Sequence, residues 1–478
     1  MKEESLSVKM EDHALEPVPD KDRQGWLALT WSTSGIVVSL VQLFFGALVT
    51  FVAGIKIGLI AGVLVTVVGA LLGWACGHVA YRSGLSSTVM SRYFGFGRRG
   101  SIVSSLIFAF MIIGFLALEN ALLYKGFVFF FGIGDTITAR IVIYGLMTLV
   151  WILLTAYGFK LVARVSSIAL ILSLVVLAYI MEVVVSSSPH SVADLLSFGS
   201  QFPADTLKAM GAESDMQKFI FAVNVLLGSA GALALFDADL GRYARRSRDI
   251  GIAALLGNLS MDVLMLVIGG AIMYAGIPAL VDFYMQTAGM TREAAMHASL
   301  QSPDSITAAF LVFGGAMGAL LMVLAQGKTQ VLNNYSASLS LSNLFDALNF
   351  RPGRLTFVIL ANIIGLLMLY GEILALVNSW ITILGVLTTA FAGIVVADFF
   401  IVRPLLKQGV ELEKSVEDVN WAGVITLVIA VIVSHYVLAA LIPVEAITTI
   451  VICVVVYPAL RLTVFRPVRT GLVAPAVI

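Results

Sequence analysis

The chain has 478 residues, of which 59% are hydrophobic and 12% charged, about half the roughly 25% charged share of an ordinary soluble domain. That composition excludes a water-soluble globule. Its 29 basic residues are matched by 29 acidic ones, giving zero net charge, so no basic excess is available to neutralise a run of phosphates and nucleic acid is not an expected partner.

Residues 1–25 hold Lys2, Glu3, Glu4, Lys9, Glu11, Asp12, Lys21 and Arg23 and lack the apolar core of a cleavable signal. They read as a cytosolic tail. Apolar segments follow near 27–52, 57–79, 101–131, 139–157, 160–186, 217–236, 249–276, 306–345, 355–371, 373–402, 421–440 and 442–463, each close to or above the roughly 20 residues a membrane helix needs. The expected architecture is all-α and polytopic, with about twelve transmembrane helices. Five fall in 26–186, five in 217–402, and two extra helices in 421–463; 403–420 is a cytosolic loop and 464–478 a second cytosolic tail. Of the connections, 277–305 is polar and suits a short amphipathic helix from Met285 to Leu300.

Orientation follows the placement of Lys and Arg in short loops. With the N-terminus inside, 22 basic residues fall on the inner side, among them Arg82, Arg92, Arg164, Arg242, Arg351, Arg354, Arg403, Lys414, Arg461 and Arg469. Six fall outside: Lys56, Lys125, Arg140, Lys208, Lys218 and Arg292. One miscounted helix would invert every later loop, so the bias supports an even number of crossings with both termini cytosolic. Lys328 alone sits within a span.

Two cysteines, Cys76 and Cys453, lie far apart in apolar runs and suggest neither a disulfide nor a metal site. Gly54, Gly58, Gly62, Gly69, Gly73 and Gly77 form a small-residue stripe on the second segment, which reads as close helix packing.

Two segments are poor continuous helices. Trp31-Ser32-Thr33-Ser34-Gly35 interrupts the first and Gly228-Ser229-Ala230-Gly231 the sixth. Irregular backbone at membrane depth is tolerated where it is buried in protein or lines a cavity. Breaks in the first helices of two five-helix units are what an inverted repeat around a midplane binding site predicts; a packing-driven patch of small residues is the other reading.

Asp398 and the Asp237/Asp239 pair are expected at helix ends. Glu119, Asp262 and Lys328 sit deeper, where a charge costs roughly 2.5–3.5 kcal/mol on insertion scales, and Glu119 and Lys328 are expected to face each other as an ion pair across a cavity. Around Lys328 polar residues are dense. Gln326, Gln330 and Asn334 share one helix face, and their amides suit either a ligand with alternating ring N–H and C=O groups or an interhelical glue. No catalytic constellation is apparent, and His435 reads as a packing histidine or a proton relay. An enzyme is not expected, and a passive channel is the alternative of another class.

The segment Gly84-Leu85-Ser86-Ser87-Thr88-Val89-Met90-Ser91-Arg92-Tyr93-Phe94-Gly95-Phe96-Gly97, the motif Asp239-Leu240-Gly241-Arg242-Tyr243-Ala244-Arg245 and the stretch Val396-Ala397-Asp398-Phe399 are similar to motifs of the nucleobase:cation symporter family. The chain resembles the purine-cytosine permease branch of that family over nearly its whole length. The resemblance implies a five-plus-five inverted repeat with broken helices 1 and 6. It also implies a secondary transporter in the cytoplasmic (inner) membrane that imports a nucleobase or related nitrogen heterocycle, of cytosine, purine, hydantoin or allantoin type, by alternating access. The implied partners are that small molecule and the lipid bilayer, with no obligate protein partner.

Residue by residue, the resemblance implies substrate contacts at Phe115, Glu119, Ser229, Ala230, Gln330, Asn334 and Ser39. Phe115 stands where the family usually has Trp, and Ala230 where cytosine-type members have an aromatic, which weakens an aromatic sandwich around a planar base. Sodium-driven members hold Na+ with two adjacent hydroxyl residues of helix eight and carbonyls of helix one. Here Lys328 and Thr329 align with that pair, and Gly35 lies opposite. An ammonium brings donors where Na+ needs oxygens, so transport is expected to be proton-coupled or uncoupled, with H+ in preference to Na+ as coupling ion, Glu119 or Lys328 as the titrating group and no other cofactor; a sodium-coupled symporter is the alternative.

Overall fold

The computed structural model describes residues 17–157, 159–301, 305–350, 352–409 and 416–466. The expected tails before residue 17 and after residue 466, Arg351 and Lys414 lie outside the described residues. Among the described residues the protein is helical, without a named strand.

The apolar segments all fall in helices. The first occupies α1 (Trp26–Val37) and the start of α2 (Leu40–Ser83), whose remainder is the second. After the short α3 (Ser87–Tyr93) come α4 (Ser101–Phe131), α5 (Ile137–Tyr157), α6 (Phe159–Ser187) and α7 (Asp215–Gly241). The seventh segment is α8 (Ser247–Leu259), running through a π-helical turn at Ser260–Leu264 into α9 (Met265–Ala288); α10 (Arg292–Gln301) follows. The last five are α11 (Ile306–Ala347), α12 (Arg354–Tyr370), α13 (Val377–Ala397), α14 (Trp421–Ile432) and α15 (Glu445–Thr463). By length and composition eight helices of the described residues can cross a membrane, or nine when the bent pair Ile306–Leu320 and Met322–Asp346 counts as one span; Arg354–Tyr370 and Trp421–Val437 are shorter apolar helices. The 44 residues of α2 would extend about 66 Å if straight, twice the roughly 30 Å of a bilayer core. The expected loop after 276 begins later than anticipated, because α9 continues through Pro278 to Ala288.

The breaks differ from expectation. In the first segment α1 runs straight through Trp31–Gly35, the Ser32 hydroxyl bonding back to the Ala28 carbonyl at 3.0 Å, as serine can do inside a helix. The chain opens three residues later, at Val38 (φ −83°, ψ 81°) and Ser39 (φ −143°, ψ 164°). The sixth segment is not broken: α7 is continuous across Gly228–Gly231. Its small residues serve close approach instead. A methyl on Gly228 would strike the Ile381 backbone of α13, one on Gly231 the Thr388 hydroxyl, and Ala230 packs toward Gly69 of α2.

Positive-φ glycines kink two helices elsewhere, Gly54 (φ 77°) in α2 and Gly315 (φ 53°) in α11. At Gly54 the connection after α6 supplies the missing partners: Ile55 N–H donates to the Phe198 carbonyl at 3.1 Å, and Gln201 N–H to the Phe51 carbonyl at 2.8 Å. A side chain at Gly54 would crowd Gly199 and Ser200, its Cβ 3.1–3.2 Å from their backbone, and would be strained at this φ.

The glycine stripe of α2 is the seam along which α7 and α8 lie, and α4 lies along α11. The π-helical turn Asp398–Val402 carries a buried Asp398 that accepts from Tyr457 Oη (2.5 Å) and Arg403 Nε (3.3 Å), tying the end of α13 to α15. Asp398 stands at the end of α13, as expected, and is buried there by its partners. α5 and α6 instead leave Ile137, Ile141, Leu146, Ile168 and Val175 exposed, the surface a helix turns to lipid.

Candidate functional site

The break after α1 opens a small cavity of about 30 Å³ whose wall includes Ser39, Gln42, Phe115, Glu119, Ser229 and Thr329. At roughly 10–15 Å³ per water, that is room for two or three waters and is smaller than a purine or pyrimidine. Two larger chambers share walls with the same helices. One, of about 500 Å³, is lined by Tyr124, Lys125, Asp135, Arg140 and Glu372, residues of the segments assigned outside. The other, of about 310 Å³, is lined by Ser87, Phe108, Asp239, Arg242, Asp346 and Arg354, and includes helix ends of the basic-rich side. α4 borders all three, through Phe108, then Phe115 and Glu119, then Ala121 and Tyr124.

Wall contacts are specific. Between the central cavity and the basic-side chamber stands a pair of rings: Phe236 lines the first, Phe108 the second, and their centroids are 6.1 Å apart at 61°. In the basic-side chamber Ser87 N–H donates to Asp239 at 2.7 Å, Arg92 pairs with Asp346 at 3.1 Å and also bonds Asn343, and the Arg354 guanidinium lies 3.7 Å from the Tyr335 ring centroid. Both motifs after the second and sixth segments therefore meet in one place. In the opposite chamber Arg140 clasps Asp135 with two bonds of 2.7 and 2.9 Å, and Tyr124 donates to the same carboxylate at 2.7 Å. The Arg140 bonds hold the Asp135 carboxyl below the usual carboxylate range against partial burial.

Of the expected site residues, the structure brings Ser39, Phe115, Glu119, Ser229 and Thr329 together on the central cavity. Ser229 Oγ is buried without a hydrogen-bond partner. Ala230, Gln330, Asn334, Gly35 and Lys328 are not on its wall. Gln330 donates to the Leu116 carbonyl (3.0 Å) and to Asn120 Oδ1 (2.7 Å) of α4. Asn334 donates to the Gln330 carbonyl (2.9 Å) and accepts from Asn362 of α12. In this geometry the amide ladder joins helices, and the cavity face of α11 is the one carrying Thr329 and Asn333, rotated by about 100° from the face anticipated, one residue's turn of an α-helix.

The expected ion pair is absent: among the described residues no salt bridge joins Glu119 to Lys328. Glu119, 1% exposed, takes the Gln326 amide as donor, two residues before Lys328 and so about 200° away around α11. Lys328 instead reaches across to α1, where a methyl on Gly35 would strike its Nζ, with Cε 3.2 Å away. Val38 N–H bonds the Ser34 carbonyl (3.0 Å) while Ser39 N–H turns to Val37 (3.1 Å), so the Gly35 carbonyl loses its helical i+4 donor. Free carbonyls and the negative end of a helix dipole favour a cation, and the ammonium stands at that end.

Residues 17–456 match the sequence model of a family described as a permease for cytosine/purines, uracil, thiamine, allantoin. The chain belongs to this family. Among solved structures, an inward-facing conformation of Mhp1 is similar at a TM-score of 0.70 and 17% identity over 93% of this chain and 91% of that one. A closed conformation of Mhp1, described as a nucleobase-cation-symport-1 family transporter with bromovinylhydantoin bound, gives 0.67 and 17% over 95% and 96%. A Na+-coupled sialic acid symporter in a substrate-bound outward-open state gives 0.58 and 12% over 95% and 96%. No curated protein sequence matches the chain. At such identities the likeness is one of fold, and with the family it makes the chain a multi-pass membrane transporter.

Gln42, Phe236 and Trp380 were not anticipated in this permease. Gln42 follows Ser39 by three residues on the restarted helix and lines the cavity, a spacing visible once the break is placed at Ser39. Phe236 lies one residue before Asp237, within a run that reads as packing. Trp380 of α13 meets the Phe115 ring edge-on at 5.1 Å, a contact that depends on how α13 crosses α4 and leaves no local pattern.

Proposed function

We propose that this permease imports a nucleobase or related nitrogen heterocycle, of cytosine, purine, hydantoin or allantoin type, across the cytoplasmic membrane by alternating access, driven by protons and independent of sodium. The observation that carries the transport reading is the line of three chambers along α4. A ring-bordered, largely apolar cavity with a few polar groups lies between two vestibules, each of a size that suits small ligands, which typically occupy about 300–1,000 Å³. The basic side is then the cytosol, with both termini on it. A substrate entering from the Asp135/Arg140 chamber needs the central cavity to widen, stacks on Phe115, and meets the unpartnered Ser229 hydroxyl, Ser39, Glu119 and Thr329 or Asn333. It leaves inward when Phe108 and Phe236 part. Residues 26–186 and 217–402 serve as the two repeats whose relative rocking produces that change.

Lys328 supports sodium independence. Its ammonium lies against the carbonyl end of α1, the place where the family resemblance puts a driving Na+, and supplies the positive charge itself. The test is uptake into proteoliposomes of radiolabelled cytosine, hypoxanthine, allantoin and a hydantoin, each with an inward proton gradient or an inward Na+ gradient. Accumulation with the proton gradient alone is expected for one of them. Accumulation that needs Na+ and ignores pH overturns the coupling, and single-channel currents in planar bilayers overturn the transporter reading.

A further inference from the structure

Behind the glycine stripe of α2 lies a buried polar seam that the substrate path does not use. Gly62 abuts the Asp262 main chain, Gly69 the Asn258 side-chain oxygen and Gly73 the Asp237 carboxylate. Between them the Thr66 hydroxyl points to the Asn258 carbonyl at 3.5 Å. From Gly62 to Gly73 the row covers about 16 Å at 1.5 Å per residue. Every member is at least nine-tenths buried, Asp262 and Asn258 fully and Asp237 to within 2%.

Donors are missing along this row. Both Asp262 oxygens, Asp237 Oδ2 and Asn258 Oδ1 have no hydrogen-bond partner, and the Asn258 amide nitrogen donates to the Ala254 carbonyl at 2.8 Å. Asn258 Oδ1 and Asp237 Oδ2 abut glycines one turn apart, so two acceptors lie along one side of α2 with a donor on neither. An ionised carboxylate accepts only, whereas a carboxylic acid has one O–H to donate, and an unpaired buried charge is neutralised in preference to being kept. Sodium suits the seam poorly, since the α2 glycines lie so close to these oxygens that added methyls would strike them. Charged neighbours do not balance it either: α2 presents Cys76 to Asp237, α8 presents Ala254 and Ile250 there, and among the described residues no charged group acts on Asp262.

We propose that Asp237 and Asp262 are proton-binding sites of this permease, held as neutral acids in this conformation. The seam spans the same depth as the closed Phe108–Phe236 pair. At one end Met261, beside Asp262, borders the central cavity; at the other Asp239, two residues beyond Asp237, borders the inner chamber. Each carboxyl takes one proton from water and returns it to water, so no other reactant is needed, and the proton has a route separate from that of the heterocycle. The inference rests on the proton-driven reading above.

Two measurements on the full-length chain test it. Infrared spectra of purified protein at neutral pH are expected to show protonated-carboxyl bands, one lost in Asp237→Asn and another in Asp262→Asn. Asparagine replaces the acid's O–H donor with N–H at equal size, so both variants are expected to fold, and Asp→Glu variants restore a shifted band. Spectra unchanged by either substitution overturn the proposal. In proteoliposomes supplied with a mixture of radiolabelled cytosine, hypoxanthine and allantoin, Asp237→Asn is expected to lose the stimulation by a proton gradient while keeping exchange of internal for external label. Parent protein that responds to the gradient alongside an equally responsive Asp237→Asn overturns the seam alone. Parent protein that ignores the gradient overturns the proton-driven reading and the seam with it.

Discussion

Phe236 on the wall of the central cavity stands against Phe108 on the wall of the inner chamber, ring centroids 6.1 Å apart. Two rings in such an arrangement contribute about 0.5–1.5 kcal/mol beyond their buried area, enough to hold a gate closed yet small against the few kcal/mol of a conformational equilibrium. Phe236→Ala is expected to join the two spaces. An Asn333→Cys reporter should then react with a membrane-impermeant maleimide applied from the inner side about tenfold faster, the effect of roughly 1.4 kcal/mol. Equal labelling rates with and without the substitution would remove the gate.

Lys328→Ser, which sets two hydroxyls side by side at 328 and 329, is expected to convert a sodium-indifferent protein into one that NaCl stabilises more than KCl. Thermal unfolding reads this directly, since a ligand at a hundred times its Kd adds about 2.7 kcal/mol. No difference between the salts would count against the ammonium standing in for Na+.

Gly35→Ala places a methyl where the Lys328 ammonium lies. Overpacking of this kind costs about 1–3 kcal/mol, and the flexible lysine is the group that yields. The expected outcome is a folded protein with strongly reduced uptake, partly rescued in Gly35→Ala/Lys328→Ser; full uptake by the single variant would show that the contact is incidental.

The two faces of α11 make opposite predictions. Gln330→Ala breaks bonds to the Leu116 carbonyl and Asn120 Oδ1, about 0.5–1.5 kcal/mol each, and should lower the unfolding midpoint. Asn333→Ala removes one bond of 3.3 Å to Gln330 Oε1, so it should lower that midpoint less than Gln330→Ala does and weaken heterocycle binding by isothermal calorimetry. A reversed pattern would return the binding face to Gln330 and Asn334.

Acid sensitivity should have a share at the outer chamber. The Arg140 bonds depress the Asp135 carboxyl in the folded state. Their stabilisation is therefore fully present above the ordinary aspartate value, about 3.9, and is lost as pH falls through the lower folded value. Unfolding midpoints measured from pH 6 to pH 3 should fall less steeply in Arg140→Ala than in the parent.

Much of this was legible in the chain itself. Apolar runs and the 22-to-6 division of basic residues report interactions with bilayer and water, which act on each segment separately, so helical class and the membrane assignment follow from local pattern. Of the residues on the central cavity, Glu119 stands out by its depth in an apolar span, whereas Ser39, Phe115, Ser229 and Thr329 are named through the family resemblance.

Rotation and partnership were decided elsewhere. Gly228-Ser229-Ala230-Gly231 weakens an isolated helix, but α13 and α2 press on it from two sides and keep it straight. Glu119 bonds Gln326 instead of Lys328, and Thr329 and Asn333 face the cavity in place of Gln330 and Asn334, because the packing of α4 on α11 sets the rotation of each helix about its axis. An amide or a carboxylate has the same local sequence signature whether it reads a ligand, glues two helices or holds a proton. Which of these it does depends on the donors and acceptors that other helices bring to it, and those arrive only with the tertiary fold.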